Sequence, residues 1–186
     1  MISFTEAELL AWITPLLWPF LRALALFSSL PLLGTRVVPA RVRVALAALV
    51  ALAAQASLPP IAPVALDSWL AFMLVLQQLL IGISLGFAVR LVFAAIELAG
   101  EIVGLQMGLN FAGFFDPLTA SQTTATSRFF GAIVGWLFIV INGHLLVIAA
   151  LVDSFKAFPV GDQPFAFLQQ ARPQHPERFR PVLDLR

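Results

Sequence analysis

The sequence predicts an all-α integral membrane protein, built from about four long apolar helices with a glycine- and phenylalanine-rich re-entrant loop between the third and fourth. Three observations carry this. Apolar residues make up 60% of the 186 residues, and mean hydropathy is +0.95. Charged residues are only 11%, against roughly 25% in a soluble domain. The apolar residues also gather in runs that approach or exceed the length of about 20 residues needed for a helix to cross hydrocarbon.

The first run, Leu9 to Leu33, is too long for the core of a signal peptide and follows Glu6 and Glu8 instead of a basic stretch. It therefore reads as a span. Pro15, Pro19 and Pro31 predict a kink or a late start. Trp12 and Trp18 fit either an interfacial anchor or ordinary packing. Arg22 is the only charge in this run. The loop from Gly34 to Arg43 carries Arg36, Arg41 and Arg43 and no acid, which places it in the cytoplasm by the positive-inside rule. Simple alternation then puts both termini outside, and the four arginines near the C-terminal end argue the other way.

The second run, Val44 to Leu66, is uncharged until Pro59, Pro60 and Pro63 end its helix near Leu58. The third, Ser68 to Leu98, holds 31 residues, or about 46 Å of helix, so it must tilt or project beyond the hydrocarbon. The fourth, Phe129 to Val152, has no charge and contains Asn142 and His144. That pair is expected to be satisfied at a helix contact. A proton relay would need a carboxylate, and Asp153 lies nine positions beyond His144 on the opposite face.

Between the third and fourth runs, Gly100 to Arg128 reads as a helix end, a break at Asp116-Pro117, and a semi-polar loop. Non-helical backbone at membrane depth survives only against protein or in a hydrated cavity. From Asp162 onward, 25 residues hold seven charges and four prolines, the composition of a disordered tail. The expected organisation is a membrane domain over residues 1–161 and a tail over 162–186.

Several chemistries are excluded by residue content. Without cysteine there is no disulfide, thiolate zinc site, iron–sulfur cluster or cysteine nucleophile. Phosphate-cradling, His-Glu-x-x-His and Gly-x-Ser-x-Gly motifs are absent from the sequence, and His144 and His175 lie in different settings. No catalytic constellation, metal site or cofactor is expected. Ten acids against eleven bases give no case for nucleic acid.

Two patterns remain. Glycines recur at spacing four, as Gly82 and Gly86, as Gly100, Gly104 and Gly108, and as Gly131 and Gly135. This spacing lets another backbone approach closely, within the chain or from a partner subunit. Arg90, Glu97 and Glu101 fall within about 20° of one another on a helix face. They form either a polar stripe between subunits, with Arg90 paired to a carboxylate, or a set lying beyond the hydrocarbon. A small-solute or ion transporter subunit using Arg90, Glu97 and His144 is one function these residues allow.

The run from Gly100 through Gln106-Met107-Gly108-Leu109-Asn110-Phe111 to Ala112, followed by Asp116-Pro117, resembles the FliR family of flagellar biosynthesis proteins, akin to export-gate subunits of type III secretion injectisomes. Further matches are Trp18-Pro19 with Leu21-Arg22, Val38-Pro39 with Arg41-Val42, and Gln77-Gln78 through Gly82 and Gly86. Asn142-Gly143-His144 and Leu151-Val152-Asp153 complete the set. The resemblance covers about residues 1–161. It implies bent helical hairpins in a screw-like assembly with FliP-type and FliQ-type subunits and other export-apparatus membrane proteins, in the bacterial inner membrane at the flagellar basal body. Unfolded proteins pass through that gate, driven by separate machinery, so the chain itself is expected to be non-enzymatic. In the family the loop matching Gly108 to Pro117 plugs the channel. The corresponding residues here, with the helical turn that leads in, are Gln106, Met107, Gly108, Leu109, Asn110, Phe111, Ala112, Gly113, Phe114, Phe115, Asp116 and Pro117. Glycine permits the broken backbone, and three phenylalanines can exclude water and ions from a constriction. Relatives continue past the position of Val160-Gly161 into further apolar helices. A truncated or frameshifted reading frame is therefore expected, with a natural short form as the alternative.

Overall fold

Apolar content and the punctuation of prolines, glycines and capping hydroxyls set the helix boundaries. A computed structural model describes residues 6–34, 38–58, 64–108, 124–161 and 165, with side chains from Ile13 onward. Among these residues the regular structure is entirely helical: α1 (Glu6–Ser29), α2 (Ala40–Gln55), α3 (Trp69–Gln106), α4 (Ala125–Val140) and α5 (Gly143–Ala157).

Helix α1 neither starts late nor breaks, and runs through Pro15 and Pro19. Proline inside a helix removes one hydrogen bond and costs about 3 kcal/mol in water, but neighbouring helices can re-satisfy the freed backbone in a packed bundle. Here Pro19 and Trp18 are fully buried, Trp18 against Ala71 and Leu74 of α3. For Trp18 the packing alternative therefore applies. Helix α2 starts directly after Pro39 and ends at Gln55, three residues before the expected stop.

Helix α3 begins where the Ser68 hydroxyl accepts from the Ala71 N–H at 3.1 Å. It continues to Gln106, eight residues beyond the end of the third apolar run. Its 38 residues span about 57 Å, against a hydrocarbon layer of about 30 Å. Among the described residues it is the one helix long and apolar enough to cross a membrane alone, and α1 contributes a shorter apolar stretch, Ile13–Ser29. Four long apolar helices are thus not all present among the described residues. The fourth run is divided: α4 and α5 have the apolarity of one span but meet at a 68° bend. Asn142 makes that break with a left-handed backbone, φ 57°. Hydropathy does not register backbone conformation, whereas Asn-Gly is a strong turn dipeptide. Helix α4 starts inside the stretch expected to be a polar loop, because the Thr124 hydroxyl caps it by accepting from the Ser127 N–H at 3.1 Å.

Helix α1 is the centre of the architecture, with α2 and α3 packed along it. The main core joins Ala23, Leu26 and Phe27 of α1, with Leu30 just beyond it, to Ala47 and Val50 of α2 and Leu151 of α5. Helix α4 lies antiparallel along the C-terminal half of α3, as the Phe93–Phe138 contact (ring centroids 5.6 Å apart) and the approach of Phe130 to Gly100 show.

Candidate functional site

A helix pair approaches closely only where side chains are small, and α3 presents Gly82, Gly86, Gly100 and Gly104 as buried residues. The first two face α1. A Cβ at Gly82 would collide with the Arg22 carbonyl and stand 2.7 Å from the Ala25 Cβ. One at Gly86 would run into the Ser29 hydroxyl, which is held over α1 by bonds to the Ala25 and Leu26 carbonyls at 3.0 and 2.9 Å. Towards α4, a Cβ at Gly100 would lie 3.0 Å from Phe130, and one at Gly131 3.0 Å from the Glu97 carboxylate. Gly135 faces Leu32 at 3.2 Å. These glycines sit at contacts inside the chain.

The close approach of α1 and α3 builds a polar node that the sequence reading left out. Arg22 is fully buried. Its Nε donates to Gln78 Oε1 at 2.7 Å, Nη1 to Ser154 Oγ at 2.8 Å, and Nη2 to the Phe158 carbonyl at 3.0 Å. The guanidinium also lies 3.6 Å from the centroid of the Phe155 ring. All three acceptors are neutral. Burying a charge is tolerable when its donors are satisfied, and here one side chain ties α1 to α3, to α5 and to the chain leaving α5. The signal was present in the sequence as a lone charge in an apolar run, with Gln77-Gln78 as a polar pair in another.

The polar stripe divides. Arg90 is exposed and Glu97 half-buried, and both line a cavity of about 380 Å³ with Ser28, Ser29 and Gly34. No ion pair joins Arg90 to Glu97 or Glu101 among the described residues. Instead Glu97 turns towards α4, where Gly131 leaves room for its carboxylate and its backbone carbonyl accepts from the Ser127 hydroxyl at 3.1 Å. Glu101 is half-buried one turn further on.

Asn142 and His144 do not form the satisfied pair expected of them. The left-handed turn leaves Asn142 exposed with no capping bond from its side chain, while His144 enters α5 with a buried Nδ1 that has no partner. His144 lines a second, apolar cavity of about 350 Å³. Arg90 and Glu97 line the polar one, which adjoins it at Leu30, Pro31 and Phe93.

Of the residues assigned to the plug, Gln106 ends α3, Met107 is exposed, and Gly108 adopts φ 72°, a conformation that favours glycine. Leu109, Asn110, Phe111, Ala112, Gly113, Phe114, Phe115, Asp116 and Pro117 lie outside the described residues. Because α3 and α4 are antiparallel, the end of α3 and the start of α4 lie at the same end of that helix pair. Large apolar side chains lie bare at that end and along α4, including Leu105 and Phe129, with Trp136 and Val140 exposed by 74% and 72%. A run of this kind needs lipid or another protein to cover it.

Residues 13–178 match the family described as bacterial export proteins, family 1. The matched stretch thus runs beyond Gly161. Among similar proteins, the flagellar biosynthetic protein FliR of Escherichia coli is 43% identical over 164 residues, covering 88% of this chain and 62% of the relative. FliR of Pectobacterium carotovorum is 40% identical over 179 residues, 92% of this chain and 67% of the relative. FliR of Bacillus subtilis is 29% identical over 155 residues, 80% and 60% of the respective chains. The chain thus spans about three-fifths to two-thirds of the length of these curated relatives. With the family matched across most of its length, the chain belongs to the FliR family of bacterial export proteins.

Proposed function

We propose that this chain is a non-enzymatic subunit of a flagellar-type protein export gate in the bacterial inner membrane, crossing it more than once. The family match over residues 13–178 is the observation that carries the reading. The bare apolar faces of α3 and α4 support it, since lipid alone cannot cover a helix of about 57 Å. FliP-type and FliQ-type subunits are the proposed neighbours, and unfolded flagellar proteins the cargo. In this reading the segment Gln106 to Pro117 stoppers the channel. Its connection between two antiparallel helix ends suits a loop that dips into a pore and returns. Phe111, Phe114 and Phe115 supply the apolar seal.

Co-expression with FliP-type and FliQ-type subunits tests the assembly. A tagged copy of this chain should carry both through purification in mild detergent, and cells lacking their own FliR-type subunit should regain export of flagellar proteins. Recovery of the tagged chain alone, with export still absent, would refute the assignment.

A further inference from the structure

We propose that the apolar cavity between α1, α2, α3, α4 and α5 holds one acyl chain of an anionic phospholipid, whose phosphate is bound by Arg43. The inference rests on the membrane reading above and adds a ligand to it. The cavity holds about 350 Å³ between Phe27 of α1, Leu30 just beyond it, Val50 of α2, Phe93 of α3, Phe138 of α4 and Val147 of α5, and its wall is apolar apart from His144. Leu49 and Ile139, which also line it, are exposed by 64% and 49%. An apolar cavity of about 150 Å³ stays free of water and takes up benzene, so a space more than twice that size is a site for hydrocarbon. At ~30 Å³ per group, about the share of one water molecule in the liquid, it accommodates roughly ten methylenes.

The second observation lies one helical turn away. Arg43 precedes Leu46, which lines the cavity, by three residues on α2. Its Nε is buried and has no hydrogen-bond partner among the described residues. A buried donor left unmade is costly, and the surrounding stretch from Gly34 to Arg43 offers arginines at 36, 41 and 43 but no acid. The uncompensated positive charge of this stretch favours an anion as that partner. An anionic phospholipid carries both complements on one molecule, an alkyl chain for the cavity and phosphate oxygens for the guanidinium. A neutral lipid leaves the basic stretch uncompensated, and free phosphate leaves the cavity unfilled.

The test uses the full chain. Resistance of membrane fractions to carbonate extraction first establishes that the chain is embedded; release by carbonate would overturn both readings. Native mass spectrometry then compares retained phosphatidylglycerol with phosphatidylcholine of the same acyl chains, and with inorganic phosphate alone. Phosphatidylglycerol should be retained at least fivefold better, about the effect of one basic residue at an anionic surface. Arg43→Gln should abolish that preference, Arg43→Lys should keep most of it, and the exposed change Leu49→Asp should weaken retention of both lipids. A photoreactive acyl chain should label Leu30, Val50 or Val147. Equal retention of the two lipids by an embedded chain would overturn this proposal and leave the membrane reading intact. So would labelling elsewhere, or a partner helix crosslinked into the cavity of the co-purified assembly.

Discussion

Replacing Gln78 with leucine should destabilise the helix bundle by about 2 kcal/mol, and the loss should depend on the presence of Arg22. Leucine removes the Oε1 acceptor, which sits 2.7 Å from Arg22 Nε in a site with no exposed surface on either residue's polar atoms. A hydrogen bond to a charged group contributes about 1.5–3 kcal/mol, and its loss leaves a buried donor unmade. Arg22→Met removes the charge and its desolvation cost together, so its own effect is a smaller residue of opposing terms. Ser154 Oγ keeps its bond to the Leu151 carbonyl at 2.6 Å in that variant. Once Arg22 is methionine, Gln78→Leu should cost less, losing only the Gln78 Nε2 bond to Gln77 Oε1 at 3.1 Å, which gives a coupling of about 1.5–3 kcal/mol in the double-mutant cycle. Denaturant unfolding in mild detergent, followed by the fluorescence of buried Trp18, measures all four corners. Additivity within about 0.5 kcal/mol would refute the claim that this bond anchors α1 to α3.

Other consequences follow from individual positions. Gly82→Ala should cost about 1–3 kcal/mol, because the new methyl meets the Arg22 carbonyl and the α1 backbone, neither of which can turn aside. Gly135→Ala should cost less, since its neighbour is the end of the Leu32 side chain at 3.2 Å; thermal unfolding compares the two. Asn142→Gly should be tolerated within a few tenths of a kcal/mol, whereas Asn142→Val should lose about 1–2 kcal/mol at a left-handed residue. Equal stability of those two variants would contradict the turn assigned between α4 and α5.

What the sequence disclosed depends on the kind of interaction involved. Helical class, the proline-limited end of α2 and the family were legible from composition, punctuation and motif. Three features were not. The passage of α1 through Pro15 and Pro19 depends on neighbours that cover Pro19 and Trp18, a tertiary effect outside any local rule. The bend at Asn142 lies inside an apolar run and depends on one residue's φ, to which a hydropathy window is blind. The Arg22 node joins positions 56 and 132 residues apart in sequence. A single chain discloses that arginine and those glutamines as anomalies in apolar runs, but not as partners. The polar stripe shows the converse limit. Helical geometry set Arg90, Glu97 and Glu101 on one face, but the room that Gly131 of α4 leaves for the Glu97 carboxylate is not written in the periodicity of α3.

The seal proposed for residues 106–117 is the claim on which the functional account depends most. Ion conductance across membranes containing the co-expressed assembly tests it directly, comparing the intact chain with one lacking Gly108 to Phe115. The account predicts that the deleted form still assembles and that its membranes leak ions and small solutes. An assembled complex with unchanged conductance would contradict it.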